Sequence, residues 1–391
     1  MCIGERICFT RRRRGLLLIM SVDIRIENLY KFYGIVEALS NINLKINNGE
    51  FFVLLGPSGA GKTSFIKVIA GVEEEDMGNI YFKNNLINKI PAYQRDVAVT
   101  FESYALYAHL SVFDNMAFPL KGPLCKNKRY LPEQIDKIVH KWAKFLQIEQ
   151  LLKRLPQELS GGQKQRVAMG RMLVREPNVF LMDEPIAHLD AKLKHIMRAE
   201  LKNIQRELNI TTIYTTPDQL EALSMGDRIA VINGGKILQV GKPNDIFNNP
   251  VNEWVAKFIS DIPMNTISCN FEVENGKCFA VNPHFKITLP KEQGRKLLNL
   301  LKDNNRFDLG VRPNKVFINT SEKKENSIPA DVSIVEDIGR TKIISLFVGD
   351  IEIFSKILST EFPKNIKKVW IKFDEESLYY FNEKTKARYA I

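Results

Sequence analysis

The segment from Phe51 to Ala70 reads FFVLLGPSGAGKTSFIKVIA and contains three consecutive patterns. Five apolar residues predict a buried strand, a loop of the form G-x-x-x-x-G-K-[ST] follows, and a helical apolar period completes the segment. In this order, backbone N–H groups of the loop turn toward one anion at a helix N-terminus. We therefore predict a phosphate-binding loop between a parallel strand and a helix.

The loop residues predict a site for a nucleoside triphosphate with Mg²⁺. Lys62 is expected to reach the β and γ phosphates, and the hydroxyl of Thr63 can ligate the metal. The residues predicted to contact the nucleotide here are Gly56, Pro57, Ser58, Gly59, Ala60, Gly61, Lys62, Thr63 and Ser64.

A second pattern is the apolar run Val179–Met182, which ends in Asp183 and Glu184. The run predicts a buried parallel strand, whose carboxyl end is where open α/β sheets bind ligands. Asp183 is predicted to hold Mg²⁺, and Glu184 to accept a proton from a water that attacks the γ-phosphate. Such an ending also fits a plain strand end, and the phosphate loop favours the catalytic interpretation.

A third pattern, LSGGQKQR from Leu159 to Arg166, begins a helix with one serine and two glycines and predicts a second anion-binding N-terminus. With the loop before it and the acidic strand after it, this segment resembles the signature of the ATP-binding cassette (ABC) ATPases. The resemblance implies that two subunits enclose two ATP molecules, and that each signature contacts the γ-phosphate held by the opposite subunit. The signature residues are Ser160, Gly161, Gly162 and Gln163.

The resemblance covers residues 21–391 and extends to the ATP-binding subunits of maltose-type carbohydrate importers. Residues 103–112 resemble their segment that receives a helix of the membrane subunit, and Leu309–Pro313 resembles part of the lead into their regulatory domain. Tyr33 matches the aromatic residue that stacks on adenine, with core packing as the alternative. Importers of spermidine and ferric ion share much of this layout.

The family implies an ATPase with ATP and Mg²⁺ as cofactors, bound peripherally at the cytoplasmic face of the membrane. Its implied partners are a second ABC ATPase subunit, identical or different, the integral-membrane permease subunits and, indirectly, a solute-binding protein.

Two departures from the family affect the predicted chemistry. Glu102 stands where the family has a Gln that ligates Mg²⁺ and contacts the attacking water; a carboxylate can still bind the metal but cannot donate a hydrogen bond. Pro217 stands where the family has a His that donates to the γ-phosphate, and proline offers no donor. We predict that Pro217 begins a helix with Thr216 as its N-cap. A third, smaller departure is Ala187, where the family usually has a Ser that faces the partner's site.

Three hypotheses follow. The first is that the chain's own site hydrolyses ATP slowly or not at all and works beside a different, complete subunit. The second is a homodimeric motor in which Glu184 is the base and the hydroxyl of Thr215 or Thr216 replaces the missing His. The third is a soluble ATP-gated regulator that binds a signalling protein.

The predicted fold is an α/β P-loop NTPase with a helical subdomain near residues 103–170, followed by an all-β, barrel-like (OB-like) regulatory domain. We place the nucleotide-binding domain at 21–257 and the regulatory domain at 258–391. Residues 1–20 are interpreted as a leader outside the fold, with Met20 as the biological start, in preference to a targeting role.

The amino-acid composition further limits the class of protein to which the chain can belong. No apolar run reaches the roughly eighteen residues that a membrane span needs. Five scattered cysteines lack metal-ligand spacing and predict a reduced cytosolic protein. The net charge of +11 is not accompanied by a nucleic-acid-binding motif, so no nucleic-acid partner is predicted.

Overall fold

The computed structural model describes residues 10–13, 16–19, 21–101, 105–122, 130–175, 177–301, 305–320, 325–361 and 366–391. For residues 10–13, 16–19 and 361 it describes the backbone alone. The chain divides into two compact units, Met1–Asn244 and Asp245–Ile391.

The first unit has eighteen labelled elements. In chain order they are β1 (Thr10–Arg13), β2 (Leu16–Ile19), β3 (Ile24–Tyr33), β4 (Val36–Ile46), β5 (Phe51–Leu55), α1 (Lys62–Ala70), β6 (Met77–Phe82), β7 (Asn85–Leu86), β8 (Val97–Thr100), α2 (Val112–Lys121), α3 (Pro132–Phe145), α4 (Gly161–Leu173), β9 (Val179–Asp183), α5 (Ala191–Leu208), β10 (Thr211–Thr216), α6 (Gln219–Met225), β11 (Arg228–Asn233) and β12 (Lys236–Gly241).

Six of these strands form one sheet in the order β12-β11-β5-β10-β9-β8. All neighbours from β11 to β8 are parallel, and β12 runs antiparallel to β11 at the edge. Strands β5 and β9 are buried at every residue, as their unbroken apolar sequences predict for strands covered on both faces. A smaller antiparallel sheet has the order β4-β3-β6-β7, and β1 pairs with β2.

The register of the parallel strands brings the predicted site together. Thr215 on β10 lies opposite Asp183 on β9, and Thr216 lies opposite Leu55, the last residue of β5. Three strand ends therefore meet at one edge of the sheet. The phosphate loop follows β5, Glu184 follows β9, and Pro217 follows β10.

The predicted helical subdomain contains α2, α3 and α4, and α2 contacts both of the others. The signature begins α4. None of the helices in the described parts of the chain has the length and apolar character required to cross a membrane.

The second unit continues with helices and antiparallel strands. Its elements are α7 (Pro243–Asn248, which begins just before the division), α8 (Glu253–Phe258), β13 (Asn265–Glu274), β14 (Lys277–Asn282), β15 (Phe285–Thr288), α9 (Lys291–Leu301), β16 (Arg306–Val311), β17 (Val316–Asn319), β18 (Ile328–Asp337), β19 (Thr341–Val348), β20 (Ile351–Leu358), β21 (Lys368–Phe373) and β22 (Leu378–Asn382).

Two five-stranded antiparallel sheets make up this unit, in the orders β15-β14-β13-β16-β22 and β17-β21-β18-β19-β20. Their inner faces share one hydrophobic core, to which Phe307 and Leu309 contribute from the first sheet and Ile344 and Ile371 from the second. The side chain of Asn265 joins the sheets by pairing with the backbone N–H and carbonyl of Phe354, at 2.8 and 2.9 Å. This arrangement agrees with the predicted barrel-like domain.

The division between the units lies at Asn244, earlier than the boundary at residue 257 proposed from the sequence. The reason is the packing of α8. Glu253 accepts a hydrogen bond from the Thr266 hydroxyl at 3.0 Å, and Ala256 shares a small core with Met264 and Phe381. The segment therefore packs with the β-rich unit although its helical pattern resembles the residues before it.

Candidate functional site

The predicted phosphate loop lies at the carboxyl end of β5 and leads directly into α1. The backbone N–H of Gly56 donates to the Thr216 carbonyl at 3.2 Å, which holds the loop against the end of β10. A Cβ atom at Gly56 would lie 2.4 Å from the Ile232 carbonyl oxygen, and one at Gly61 would lie 2.4 Å from the Ala38 carbonyl oxygen. Gly61 also has φ of 104°. These two positions therefore require glycine.

Lys62 directs its ammonium group into the loop. Its Nζ lies 2.9 Å from the carbonyl oxygens of Gly56 and Pro57 and 3.2 Å from Oε1 of Glu184. The side chain is only 4% exposed. Ser58 and Gly59 form the exposed tip of the same loop. A buried cation held mainly by neutral carbonyls can exchange these partners for phosphate oxygens, which form stronger charge-assisted hydrogen bonds.

Asp183 is 1% exposed and accepts hydrogen bonds on both carboxylate oxygens. The Thr63 hydroxyl donates to Oδ2 at 2.8 Å, and the Thr215 hydroxyl donates to Oδ1 at 2.6 Å. The structure thus connects the phosphate loop to the acidic strand end across 120 residues of sequence.

The donor set at Thr63 and Asp183 fits Mg²⁺. Both residues offer oxygen ligands to a hard cation, and they already lie within hydrogen-bonding distance of each other. Within the described ranges, no group of three or more His, Cys, Asp and Glu side chains could hold a metal by itself. Such a pair fits a Mg²⁺ ion that takes its remaining ligands from phosphates and water.

Glu184 lies beside this pair in an unusual backbone conformation. Its φ of 47° places a non-glycine residue in the left-handed region, which is found often at functional sites. Its backbone N–H donates to the Thr215 carbonyl at 3.2 Å and to the Thr215 hydroxyl at 3.3 Å. Its carboxylate is 17% exposed and faces Lys62, so a water near the loop could reach it.

Thr215 lies in the candidate site, but its hydroxyl has a different partner from the one predicted from the sequence. It was predicted as a replacement donor to the γ-phosphate, whereas its hydroxyl donates to Asp183 and it is fully buried. One hydroxyl therefore orients the Asp183 carboxylate and also accepts from the backbone of Glu184. The sequence contains a signal for this contact, because Thr215 lies one residue before the end of β10. In a parallel strand beside β9, a Thr at that position can lie opposite Asp183.

We expect Thr215→Val to lower the free energy of unfolding by about 1–3 kcal/mol, because an oxygen of the buried Asp183 loses its donor while the shape is kept. Urea unfolding of the full chain measures the loss. Thr212→Val is the matched control, since Thr212 is equally buried on β10 and its hydroxyl donates to the Ile210 carbonyl at 3.3 Å. An equal loss of unfolding free energy in the two variants would show that the hydrogen bond to Asp183 stabilises the fold no more than the one to Ile210.

The residues after β10 correct the predicted helix start. Helix α6 begins at Gln219 with Asp218 as N-cap, and the Asp218 carboxylate accepts from the backbone N–H groups of Leu220 and Glu221. Thr216 is not the cap, because its hydroxyl donates to the buried carboxylate of Glu221 at 2.6 Å. Pro217 therefore lies before the helix.

Tyr33 ends β3 and is 41% exposed as a residue, which is not the environment of a core residue. Its hydroxyl donates to the Glu73 carboxylate, which also accepts from Lys67 of α1 at 2.9 Å. Partial burial and then the bond to Glu73 raise the pKa of the Tyr33 hydroxyl above its ordinary value. Stacking of adenine on this oriented ring stays a prediction.

The signature begins α4 with a reciprocal capping arrangement. The Ser160 hydroxyl accepts from the Gln163 backbone at 3.4 Å, and the Gln163 side chain accepts from the Ser160 backbone at 2.9 Å. Ser160 and Gly161 are exposed. These polar side chains satisfy each other, and the helix N-terminus faces solvent.

Gln165, one turn into α4, fixes the segment that follows Glu184. Its side-chain amide donates to the Glu184 carbonyl at 3.1 Å and accepts from the His188 backbone at 3.3 Å. The side chain is 3% exposed, so both bonds are protected from water. The turn that begins at Glu184 and the signature helix are thus joined by one residue.

Glu102 lies outside the described residues, and so do Ser103 and Tyr104. The role of Glu102 in binding Mg²⁺ stays a prediction.

Comparison with known proteins agrees with this geometry. A family model described as ABC transporter matches residues 39–187. The trehalose/maltose import ATP-binding protein MalK of Thermococcus litoralis is 42% identical over 93% of this chain and 98% of its own length. The chain belongs to the ABC transporter ATP-binding proteins. A further relative of this ABC protein is the maltose/maltodextrin import ATP-binding protein MalK of Vibrio vulnificus, which is 41% identical over 81% of this chain and 83% of its own length. The sn-glycerol-3-phosphate import ATP-binding protein UgpC of Brucella abortus is 39% identical over 84% of this chain and 88% of its own length.

A solved structure extends the comparison to the fold of this ABC ATPase. The ATP-binding cassette MJ0796, in a dimeric post-hydrolysis state bound to ADP and Pi, matches with a TM-score of 0.53 and 28% identity. The match covers 56% of this chain and 98% of that one. The predicted family, fold class and ATPase activity are confirmed, and the chain binds a nucleotide.

Proposed function

We propose that this ABC ATPase is the ATP-binding subunit of a carbohydrate importer and uses the site at the end of β5, β9 and β10 to hold and hydrolyse ATP. The observation that supports the ATP site is the joint placement of Lys62, Thr63, Asp183 and Glu184, with distances of 2.8 and 3.2 Å between partners. The support for a carbohydrate is the trehalose, maltose and maltodextrin named for two relatives.

The proposed reaction follows from these positions. Lys62 moves its ammonium group from the Gly56 and Pro57 carbonyls to the β and γ phosphates. Glu184 accepts a proton from a water whose oxygen bonds to the γ-phosphorus, and the bond from that phosphorus to the β–γ bridging oxygen breaks. Mg²⁺, held by Thr63 and Asp183, would neutralise phosphate charge.

The β10 end of the pocket is short of donors to the γ-phosphate. Pro217 has none, the Thr215 hydroxyl donates to Asp183, and the Thr216 hydroxyl donates to Glu221. The two hydroxyls offered as substitutes in the homodimer hypothesis are therefore already used. Removing one donor from developing charge typically costs about 10²–10³ in rate. Hydrolysis in this pocket then depends on hydrogen-bond donors that a second subunit supplies to the γ-phosphate.

The proposed partners follow from the exposed signature. In a dimer with a second ABC ATPase subunit, identical or different, Ser160–Gln163 would contact the ATP bound by that subunit. Membrane permease subunits would bind the ATPase at the cytoplasmic face of the membrane, and ATP hydrolysis would drive their change of conformation. A solute-binding protein would act through the permeases. A second candidate solute is sn-glycerol 3-phosphate, favoured by the UgpC relative at 39% identity.

Uptake by the source organism tests this function. Deleting the gene is expected to abolish uptake of radiolabelled maltose or trehalose, and the natural gene should restore it. The variant Lys62→Met should fail to restore uptake, whereas Lys45→Met, at an exposed position of β4, should succeed. Loss confined to glycerol 3-phosphate would favour the second solute. Normal uptake of all three, with the protein absent from membrane fractions, would contradict the importer and favour the soluble regulator.

A further inference from the structure

Two acidic residues connect the end of β3 to the segment that follows α1. The Asp76 carboxylate accepts from the Phe32 backbone N–H at 2.6 Å, and the Glu73 carboxylate accepts from the Tyr33 hydroxyl. The Asp76 backbone N–H donates in turn to the Tyr30 carbonyl at 3.1 Å. Asp76 therefore fixes the backbone at the end of β3, and Glu73 fixes the hydroxyl end of the Tyr33 ring.

Glu73 is bound to helix α1 as well as to this ring. One of its carboxylate oxygens accepts from the Lys67 ammonium group at 2.9 Å, and the other accepts from Tyr33. The Glu73 backbone N–H donates to the Lys67 carbonyl at 3.3 Å. Lys67 lies on the same helix as Lys62 and Thr63. Glu73 therefore joins the ring to the helix that begins in the phosphate loop.

The charge of Glu73 strengthens this connection. Burial of the carboxyl opposes its ionisation, but hydrogen bonds from Tyr33 and Lys67 outweigh that effect and lower the pKa of Glu73. The Tyr33 hydroxyl has a further hydrogen bond with the side chain of Ser64 on α1, which acts against the rise in the pKa of Tyr33. Both contacts link the ring to α1. The one with the ionised carboxylate is the stronger kind of hydrogen bond.

The orientation of the Tyr33 ring decides what it can contribute to binding. An aromatic side chain stacks on a nucleobase through its face, so the face must be parallel to the base. Tyr33 is 41% exposed, and an unanchored ring at such a position could adopt several rotamers. Ordering it at the moment of binding would cost free energy. A ring that is held beforehand avoids that cost.

We propose that Glu73 is a positioning residue for the nucleobase. It holds the Tyr33 ring in the orientation that stacks on adenine, at a set distance from the phosphates bound by the loop, and Lys67 keeps the Glu73 carboxylate in place. This inference rests on the proposed ATP site. It assigns to Glu73 a share of the affinity for the nucleoside part of the ligand and none of the affinity for the phosphates.

The test compares ADP with inorganic diphosphate, both with Mg²⁺, because only ADP carries the base and neither is a substrate for hydrolysis of a γ-phosphate. Isothermal titration calorimetry on the purified full-length chain measures both affinities. Glu73→Ala should weaken ADP binding by about 3–10-fold, which is typical of one lost hydrogen bond, and change diphosphate binding by less than about twofold. The control Glu74→Ala removes the same charge at the adjacent, exposed position and should leave both affinities unchanged.

Two further variants separate positioning from charge and stability. Tyr33→Phe keeps the ring and removes its anchor, so it should weaken ADP binding at least as much as Glu73→Ala, and combining the two should add little. Glu73→Gln should retain most of the affinity for ADP, because its amide oxygen still accepts from the Tyr33 hydroxyl. Thermal unfolding without nucleotide should give similar transition temperatures for all variants and the natural chain.

Equal losses of ADP and diphosphate binding in Glu73→Ala would overturn the proposal, because the carboxylate would then act on the phosphate loop. Unchanged ADP binding in Glu73→Ala, an equally large loss in Glu73→Gln, or additive losses in the double variant would overturn it as well. A natural chain that binds neither ADP nor ATP would instead contradict the proposed function itself, so the two failures are distinguishable.

Discussion

Turnover by Glu184→Gln is expected to fall by about 10²–10⁴, because the pocket loses the group placed to accept the proton of the attacking water. The amide keeps the size of the side chain and its ability to adopt the left-handed backbone at this position. Affinity for ATP is expected to rise, because Lys62 no longer has to leave a carboxylate at 3.2 Å in order to meet the phosphates. Phosphate release and titration with a fluorescent ATP analogue measure the two effects separately.

The matched control is Glu207→Gln, which removes the same charge at an exposed position of α5 and should leave both quantities unchanged. Elution of the Glu184→Gln variant as a dimer in the presence of ATP would support the paired arrangement. A parallel fall in ATP affinity and turnover would contradict the prediction, because it would mean that Glu184 shapes the pocket rather than acting on water.

Lys62→Met is expected to weaken ATP binding by a factor of about 10–10², which corresponds to the loss of charge-assisted hydrogen bonds of about 1.5–3 kcal/mol. Methionine fills nearly the same buried volume, so the strand and helix on either side of the loop should keep their packing. Glu184 loses its cation in this variant, but water can reach a carboxylate that is 17% exposed. Equilibrium binding of the ATP analogue gives the change in affinity.

Lys45→Met provides the comparison, because Lys45 is exposed on β4 and its loss should not alter binding. Thermal unfolding of both variants without nucleotide separates affinity from stability. An unfolding temperature well below that of the natural chain for Lys62→Met alone would indicate that the lysine holds the loop together, and would sink its assignment as mainly a phosphate ligand.

The parts of this fold that could be predicted from sequence are those with a local signal. The glycine loop between β5 and α1 is specified by adjacent residues, and the buried strands β9 and β11 are continuous apolar runs. Helix α4 begins at Gly161, directly after the Ser160 that the signature pattern places at its start. In each case the neighbours in sequence are also the neighbours that decide the structure.

Contacts between distant segments could not be predicted in this way. Thr215 meets Asp183 because two parallel strands adopt one particular register, over a separation of 32 residues. Helix α6 begins at Gln219 and not after Thr216, because the Thr216 hydroxyl donates to the Glu221 carboxylate and does not cap the helix. Residue preferences at the N-cap do not include this contact. The division at Asn244 likewise depends on which core Ala256 joins.

The side chain of Gln165 has a consequence for timing. Its single amide group donates to the carbonyl of Glu184, the residue proposed to accept the proton of the attacking water, and accepts from the backbone N–H of His188 in the turn that follows. A displacement of the signature helix α4 is therefore expected to shift the backbone of Glu184 in the same movement. Whatever contacts the signature then changes the rate of cleavage through Glu184, without touching the phosphates that Lys62 would hold.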